Sequence, residues 1–342
     1  MSRHSAIRAA VAAATLAALL AGCALHPGPG HRPGNAQLPL RSGELITEPG
    51  QGFSPVYQLI AQARRSIDLT MFELADPRAE KDLVAAASRG VDVRVVLDQR
   101  ERSTNTAAYQ FLRASRVHVV WSSASYEYTH QKTLVTDGSR ALIMTANLTS
   151  RYYPSTRDFL YLDSNRADVA ASTRVFAADY AHRAIRPSNG RDLVWSPGGS
   201  QDQLLALISN ARYSLRIYSE EMSDTKIEEA LAAAARRGVS VQVCGENQDG
   251  EYDRAFATLA AAGVRISYYS SGTGFYVHGK VIEADYGTPR ARAFLGSENF
   301  SVTSLTRNRE LGLIFSGAPA LESITRTFAA DFRRGTHWPA TG

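Results

Sequence analysis
His130-Gln131-Lys132-Thr133-Leu134-Val135-Thr136-Asp137 is written a second time, in its chemistry, as His278-Gly279-Lys280-Val281-Ile282-Glu283-Ala284-Asp285, 148 residues further on. In each copy of this His-x-Lys-x4-Asp pattern an apolar pair, Leu134-Val135 or Val281-Ile282, follows the lysine, so histidine and lysine leave the same face of a short strand. The surroundings repeat at the same offset. Ala63-Arg64-Arg65-Ser66 returns as Ala211-Arg212-Tyr213-Ser214, and Glu73 returns as Glu221. Arg89-Gly90 followed by Val91, Val93 and Val95 returns as Arg237-Gly238 followed by Val239, Val241 and Val243. A period of this length marks a duplicated structural unit, and each Arg-Gly pair reads as a helix end opening an alternating strand.

Within the first copy helical and strand periods alternate: helix near 55–65, strand 67–72, helix 77–88, strand 91–97, helix 106–114 and strand 117–120. The second copy follows suit from Gln203 onward. The alternation predicts an α/β chain of two duplicated lobes, each a mixed, largely parallel sheet flanked by helices, with mixed strands added after each histidine. The first lobe is placed at residues 42–190 and the second at 191–342, with the Pro-, Gly-, Ser- and Asn-containing stretch 187–200 as the seam.

Ahead of the lobes, Arg3 and Arg8 precede an apolar run over 9–20 and the small residues of Leu20-Ala21-Gly22-Cys23. This is the layout of an export signal over 1–22, too short for a permanent membrane span. Leu-Ala-Gly-Cys resembles the lipobox of bacterial lipoproteins, which implies cleavage before Cys23 and lipid attachment to its thiol. Residues 23–41 are rich in Pro and Gly and read as a spacer. The other cysteine, Cys244, sits in an apolar strand, so neither a disulfide framework nor a cysteine-based zinc site is on offer. His26 and His31 lack partners at ligand spacing. The formal charge of +5 falls to +3 without the first 22 residues, too mild to argue for nucleic acid.

The pattern continues downstream as Thr145, Asn147 and Asp158, and as Ser297, Asn299 and Glu310, with the same Asn-to-acid spacing; the Asp285-to-Ser297 link alone is longer, by four residues. Two of only four lysines occupy the repeated motif in a chain that otherwise uses arginine, which points to a need for a compact ammonium there.

These residues resemble the duplicated motif of the phospholipase D superfamily, and the resemblance spans about 43–332. It implies two lobes related by a pseudo-twofold axis, both motifs at one site, and a phosphodiesterase that needs no metal or cofactor. One histidine attacks phosphorus and the other protonates the leaving alcohol; a neutral imidazole is nucleophilic near neutral pH while its partner must be protonated. By this resemblance His130 is the nucleophile and His278 the general acid. Lys132 and Lys280, with Asn147 and Asn299, would surround the phosphate oxygens. Thr145 and Ser297 are supporting hydroxyls, and Asp158 and Glu310 each hold a histidine, Asp158 being shorter than the glutamate commoner there. Asp137 and Asp285 complete the motif's catalytic set, although their turn positions suit a structural role.

The motif fixes the reaction class and leaves the substrate open. A lipid anchor in the cell envelope favours phospholipid headgroups at a membrane surface, hydrolysed or transferred, over nucleic acid. A secreted, metal-independent endonuclease is the alternative, and an idle surface binding protein a second one. One chain carries both motifs, so a monomer suffices. Tyr126, Tyr128, Tyr152, Tyr153, Tyr268, Tyr269, Phe275 and Tyr276 flank the histidines and suit an acyl-chain entrance, base stacking or packing in the seam. Glu73 and Glu221 end equivalent strands, where they either border the pocket or serve the structure.

Overall fold
Residues 41–339 are described by the structure, a computed structural model. The expected export signal, Cys23 and the spacer up to residue 40 lie outside the described residues. Among those described, no helix is long and apolar enough to cross a membrane.

The first lobe runs β1 (Leu45–Glu48), α1 (Ser54–Gln62), β2 (Ser66–Met71), β3 (Leu74–Ala75), α2 (Pro77–Ser88), β4 (Asp92–Leu97), α3 (Arg102–Arg113), β5 (His118–Trp121), β6 (Thr133–Thr136), β7 (Arg140–Met144), β8 (Leu148–Thr149), β9 (Thr156–Asp163) and α4 (Arg166–Tyr180). The second runs β10 (Leu193–Ser196), α5 (Ser200–Asn210), β11 (Ser214–Ser219), α6 (Thr225–Arg236), β12 (Ser240–Glu246), α7 (Asp253–Ala261), β13 (Arg265–Tyr269), β14 (Tyr276–Val277), β15 (Val281–Ala284), β16 (Arg292–Gly296), α8 (Val302–Thr306), β17 (Glu310–Phe315), α9 (Ala318–Arg334) and β18 (Thr336–His337). Equivalent acids start equivalent helices. Asp76 accepts from the Arg78 and Ala79 N–H groups ahead of α2, and Asp224 accepts from the Ile227 N–H ahead of α6.

The sheets have matching orders, β1-β9-β7-β6-β2-β4-β5 and β10-β17-β16-β15-β11-β12-β13, with β18 added at the second edge. Along these orders β2-β4-β5 and β11-β12-β13 are parallel, and the short pairs β14-β9 and β3-β8 are too; the strands after each motif join antiparallel, so antiparallel ladders outnumber the parallel ones that were expected. The connections explain this. Parallel neighbours need a crossover helix, whereas β6 and β7 are joined by the short turn at Asp137 and Gly138. The helix expected near 55–65 also stops early, at Gln62, because past Ala63 the N–H groups of Arg64, Arg65 and Ser66 donate to the Asp137 carboxylate instead.

Each lobe has its own apolar core, and a third cluster joins them, with Phe159 and Tyr161 of the first lobe against Tyr218, Leu295, Phe315 and Phe328 of the second. Two buried ion pairs cross the same seam in opposite directions. Arg157 on β9 donates to both carboxylate oxygens of Asp331 on α9, at 2.6 and 3.0 Å, and Asp331 also accepts from the Tyr218 hydroxyl at 2.7 Å. Arg309, beside the start of β17, reaches back to Asp179 on α4 at 3.0 and 3.1 Å. Removing one partner of such a pair leaves a buried charge unmatched. Asp331→Ala is therefore expected to destabilise the protein by about 3–5 kcal/mol, read from urea unfolding. A loss below about 1 kcal/mol, the range of an exposed pair, would mean that the seam does not depend on it.

Candidate active site
The segment before each histidine is hydrogen-bonded into the opposite lobe. β14 runs parallel to β9, with Tyr276 opposite Thr156 and Val277 opposite Arg157. The matching bridge joins Thr129 to Arg309; there the Arg309 N–H donates to the Tyr128 carbonyl at 2.8 Å and the Gln131 N–H to the Arg309 carbonyl at 3.0 Å. Gly279 follows His278 where a Cβ would come within 3.1 Å of the Phe159 ring of the other lobe, so the close approach favours glycine.

This register aims each imidazole at a carboxylate of the other lobe. His278 Nδ1 lies 2.7 Å from Asp158 Oδ1, and His130 Nδ1 lies 2.9 and 3.1 Å from the two Glu310 oxygens. Asp158 reaches its histidine despite the shorter side chain. A carboxylate on Nδ1 selects the tautomer and leaves Nε2 facing the reacting centre. Burial pushes both carboxyls up, but each histidine outweighs it, helped by Lys280 for Asp158 and Lys132 for Glu310, so both acids are held below their ordinary range and are anionic. Burial holds His130 below its ordinary value against the pull of Glu310, which favours the neutral ring.

The two carboxylates are themselves held. The Thr145 hydroxyl donates to Asp158 Oδ1 at 2.6 Å. On Glu310 that part is played by Ser304 at 2.6 Å and the Asn308 amide at 3.0 Å. Ser297, expected in this role, turns its hydroxyl to the Leu311 backbone, and its carbonyl lies 3.2 Å from His130 Nδ1.

Lys132 and Lys280 are fully buried, and each ammonium donates to the carbonyl of its own histidine at 2.6 Å. Their other neighbours differ. Lys132 sits 4.9 Å from the Phe72 ring centroid, and burial pulls its ammonium down to about 7. Lys280 makes a 2.5 Å ion pair with Glu220, whose Oε2 is also 3.7 Å from His278 Nε2. Asn147 donates to Glu73 at 3.4 Å, Asn299 is anchored through its N–H to Ser304 at 2.8 Å, and the side-chain carbonyl of each asparagine is buried without a partner.

Asp137 and Asp285, counted with the motif, are not at this centre. A five-residue stretch of strand sets each about 16 Å from its lysine. There Asp137 accepts from the N–H groups of Arg64, Arg65 and Ser66, and Asp285 from those of Arg212, Tyr213 and Ser214. Both take the left-handed backbone that Asp tolerates, with φ of 55° and 54°. They are turn anchors. The flanking aromatics divide: Tyr126 lies against Arg309 and Phe275 over Arg157 at the seam, Tyr269 donates to the Asp331 carbonyl, Tyr153 and Tyr268 pack against the cores of their own lobes, and Tyr276 donates to Glu220. Tyr152 is exposed. Sequence reasoning missed Glu220, because the repeat aligns it with Phe72 rather than with another acid. It also missed the pairs Arg157–Asp331 and Arg309–Asp179, which a search at an offset of 152 in place of 148 brings out.

Comparison with known proteins agrees with the two-lobed fold. The family model for the cardiolipin synthase, PLD-like domain matches twice, over residues 56–180 and 204–332. A mitochondrial cardiolipin hydrolase of Xenopus tropicalis is 29% identical over 124 residues, which are 36% of this chain and 59% of that protein. Among solved structures, phosphatidylserine synthase of Haemophilus influenzae Rd KW20 has a TM-score of 0.65 at 14% identity, over 87% of this chain and 88% of its own. Polyphosphate kinase from Porphyromonas gingivalis has a TM-score of 0.66 at 17% identity, over 85% of this chain but half of its own. This chain thus spans less than two thirds of the curated relative and half of the kinase. The two matches of one family model fall on the two lobes and together cover most of the sequence, so the protein belongs to the phospholipase D superfamily, whose members are phosphodiesterases or transferases.

Proposed function
We propose that the protein hydrolyses the headgroup phosphodiester of phospholipids through a phosphohistidine, and transfers the phosphatidyl group where an alcohol replaces water. One observation carries the chemistry: two histidines from different lobes, each fixed at Nδ1 by a buried anion of the other lobe, present Nε2 beside two buried ammonium groups. His130, which burial keeps neutral, attacks phosphorus with Nε2 while the bond to the headgroup oxygen breaks. His278 gives its proton to that oxygen. It then takes a proton from water, whose oxygen attacks the phosphohistidine and frees His130. Lys132 and Lys280 offset the negative charge on the non-bridging oxygens as the transition state forms.

The lipid substrate rests on separate support. The Leu20-Ala21-Gly22-Cys23 sequence suits an exported protein anchored in a bacterial envelope, where headgroups are always within reach. The matching family model and the Xenopus tropicalis relative both carry cardiolipin in their names. No metal is called for, since the lysines supply the positive charge.

His130→Asn and His278→Asn are each expected to lower turnover by about a thousandfold or more, because nucleophile and acid act as a unit; a mild loss in either would break the shared-site mechanism. Headgroup release from vesicles of phosphatidylcholine, phosphatidylethanolamine and phosphatidylglycerol should persist in EDTA and vanish in His130→Ala. Cleavage of single-stranded DNA in a parallel digest, with the lipids intact, would keep the mechanism and replace the substrate. Abolition by EDTA would refute the metal-independent reading.

A further inference from the structure
The two halves of the site share their His, Lys and Asn, but the position that follows β2 and β11 differs in charge. In the first lobe it holds Phe72, whose ring is 4.5 Å from the His130 ring and packs under Lys132. In the second it holds Glu220. One carboxylate oxygen accepts from the Tyr276 hydroxyl at 2.8 Å; the other lies on Lys280 at 2.5 Å and 3.7 Å from His278 Nε2. A carboxylate thus rests on two of the groups that are to handle the phosphate.

Its charge is permanent in a way that its neighbours' charges are not. Burial pushes Glu220 up, but Lys280 and then His278 outweigh it and hold it below the ordinary carboxylate range. Burial drives nearby Glu221 up to about 7 and Glu246 up to about 8, so at neutral pH Glu246 is mostly protonated and Glu221 partly so.

We infer that Glu220 is a charge-selecting residue of the phosphate pocket, which admits the singly charged phosphodiester and disfavours the doubly charged phosphomonoester or free phosphate. The inference rests on the reading of the histidine pair as a phosphoryl site and not on the identity of the lipid. The physical reason is Coulombic. Lys280 already has Glu220 as its ion-pair partner, so the cation left for a ligand is Lys132, which makes no such pair among the described residues. Burial brings that ammonium down to about 7, and an incoming phosphate anion holds it protonated; a diester brings one negative charge. A phosphomonoester, the kind of product that diester hydrolysis leaves, carries close to two. Its second charge meets the Glu220 carboxylate at close range and is repelled. The consequence is weak retention of product.

The test is calorimetric titration of the full-length protein with inorganic phosphate and with diethyl phosphate, at about pH 8 where phosphate is mostly the dianion. Glu220→Gln is expected to tighten inorganic phosphate by about tenfold or more and diethyl phosphate by a distinctly smaller factor. Glu220→Asp, which keeps the charge, should retain the wild-type discrimination and guards against a variant that merely misfolds. Phe72→Glu should weaken phosphate further than diethyl phosphate. An equal change for both ligands in Glu220→Gln, or a weaker grip on phosphate, would overturn the inference and leave the phosphoryl site standing. If neither ligand bound to wild type or variant, the phosphoryl-site reading would fall and this inference with it.

Discussion

The carboxylate–imidazole hydrogen bond that crosses between the lobes is the constraint on which the rest of the structure depends. Asp158 serves His278 and Glu310 serves His130, so neither lobe alone holds an oriented histidine. The arrangement is demanding because all four groups are buried or nearly so, and a buried anion must keep its partner. The strand register supplies the precision. Val277 is paired with Arg157 and Thr129 with Arg309, which puts each histidine one residue beyond a ladder contact and each acid one residue beyond the same contact. Side chains alternate along a strand. Arg157 therefore points away from Asp158, into the seam toward Asp331, and Arg309 points away from Glu310 toward Asp179. One dipeptide in each lobe both closes the interface and orients the chemistry.

How much of this could be read beforehand follows from what a repeat can carry. His, Lys, Asn and acid were legible because lysine is rare in this chain and each recurs at fixed spacing. The two-lobed α/β fold was legible because helix and strand periods alternate twice. The pairing of lobes was not, since a repeat says that two units are alike and nothing about which acid faces which histidine. Arg157 and Asp331 escaped for a second reason: arginine and aspartate are common here, and the longer hairpin between β15 and β16 changes the offset after it. Asp137 and Asp285 show the opposite error. Spacing joined them to the motif, yet a strand of that length carries a side chain far from where it started. Their carboxylates act on backbone N–H groups at the opposite end of the strand.

Duplication gives the site its symmetry, but the proposed chemistry needs two histidines in different protonation states, so that mechanism would be set by the differences between the halves. Several positions depart from the symmetry near the centre. Asp158 stands opposite Glu310, and Phe72 stands opposite Glu220. Behind Glu310, Glu298 occupies the place of Ala146, packed against Gly296 and Gly312 with both oxygens unpaired, and burial with the charge of Glu310 drives its carboxyl well up. The side of His130 is accordingly aromatic, with Phe72 against its ring and a neutral acid behind its carboxylate, whereas the side of His278 has a carboxylate within reach of each ring nitrogen. Under the proposed mechanism that contrast favours the nucleophile on the side of His130, whose ring burial holds below its ordinary value. Residue types that break the repeat are therefore better guides to which histidine does what than the motif residues themselves, which are the same in both halves and cannot tell them apart.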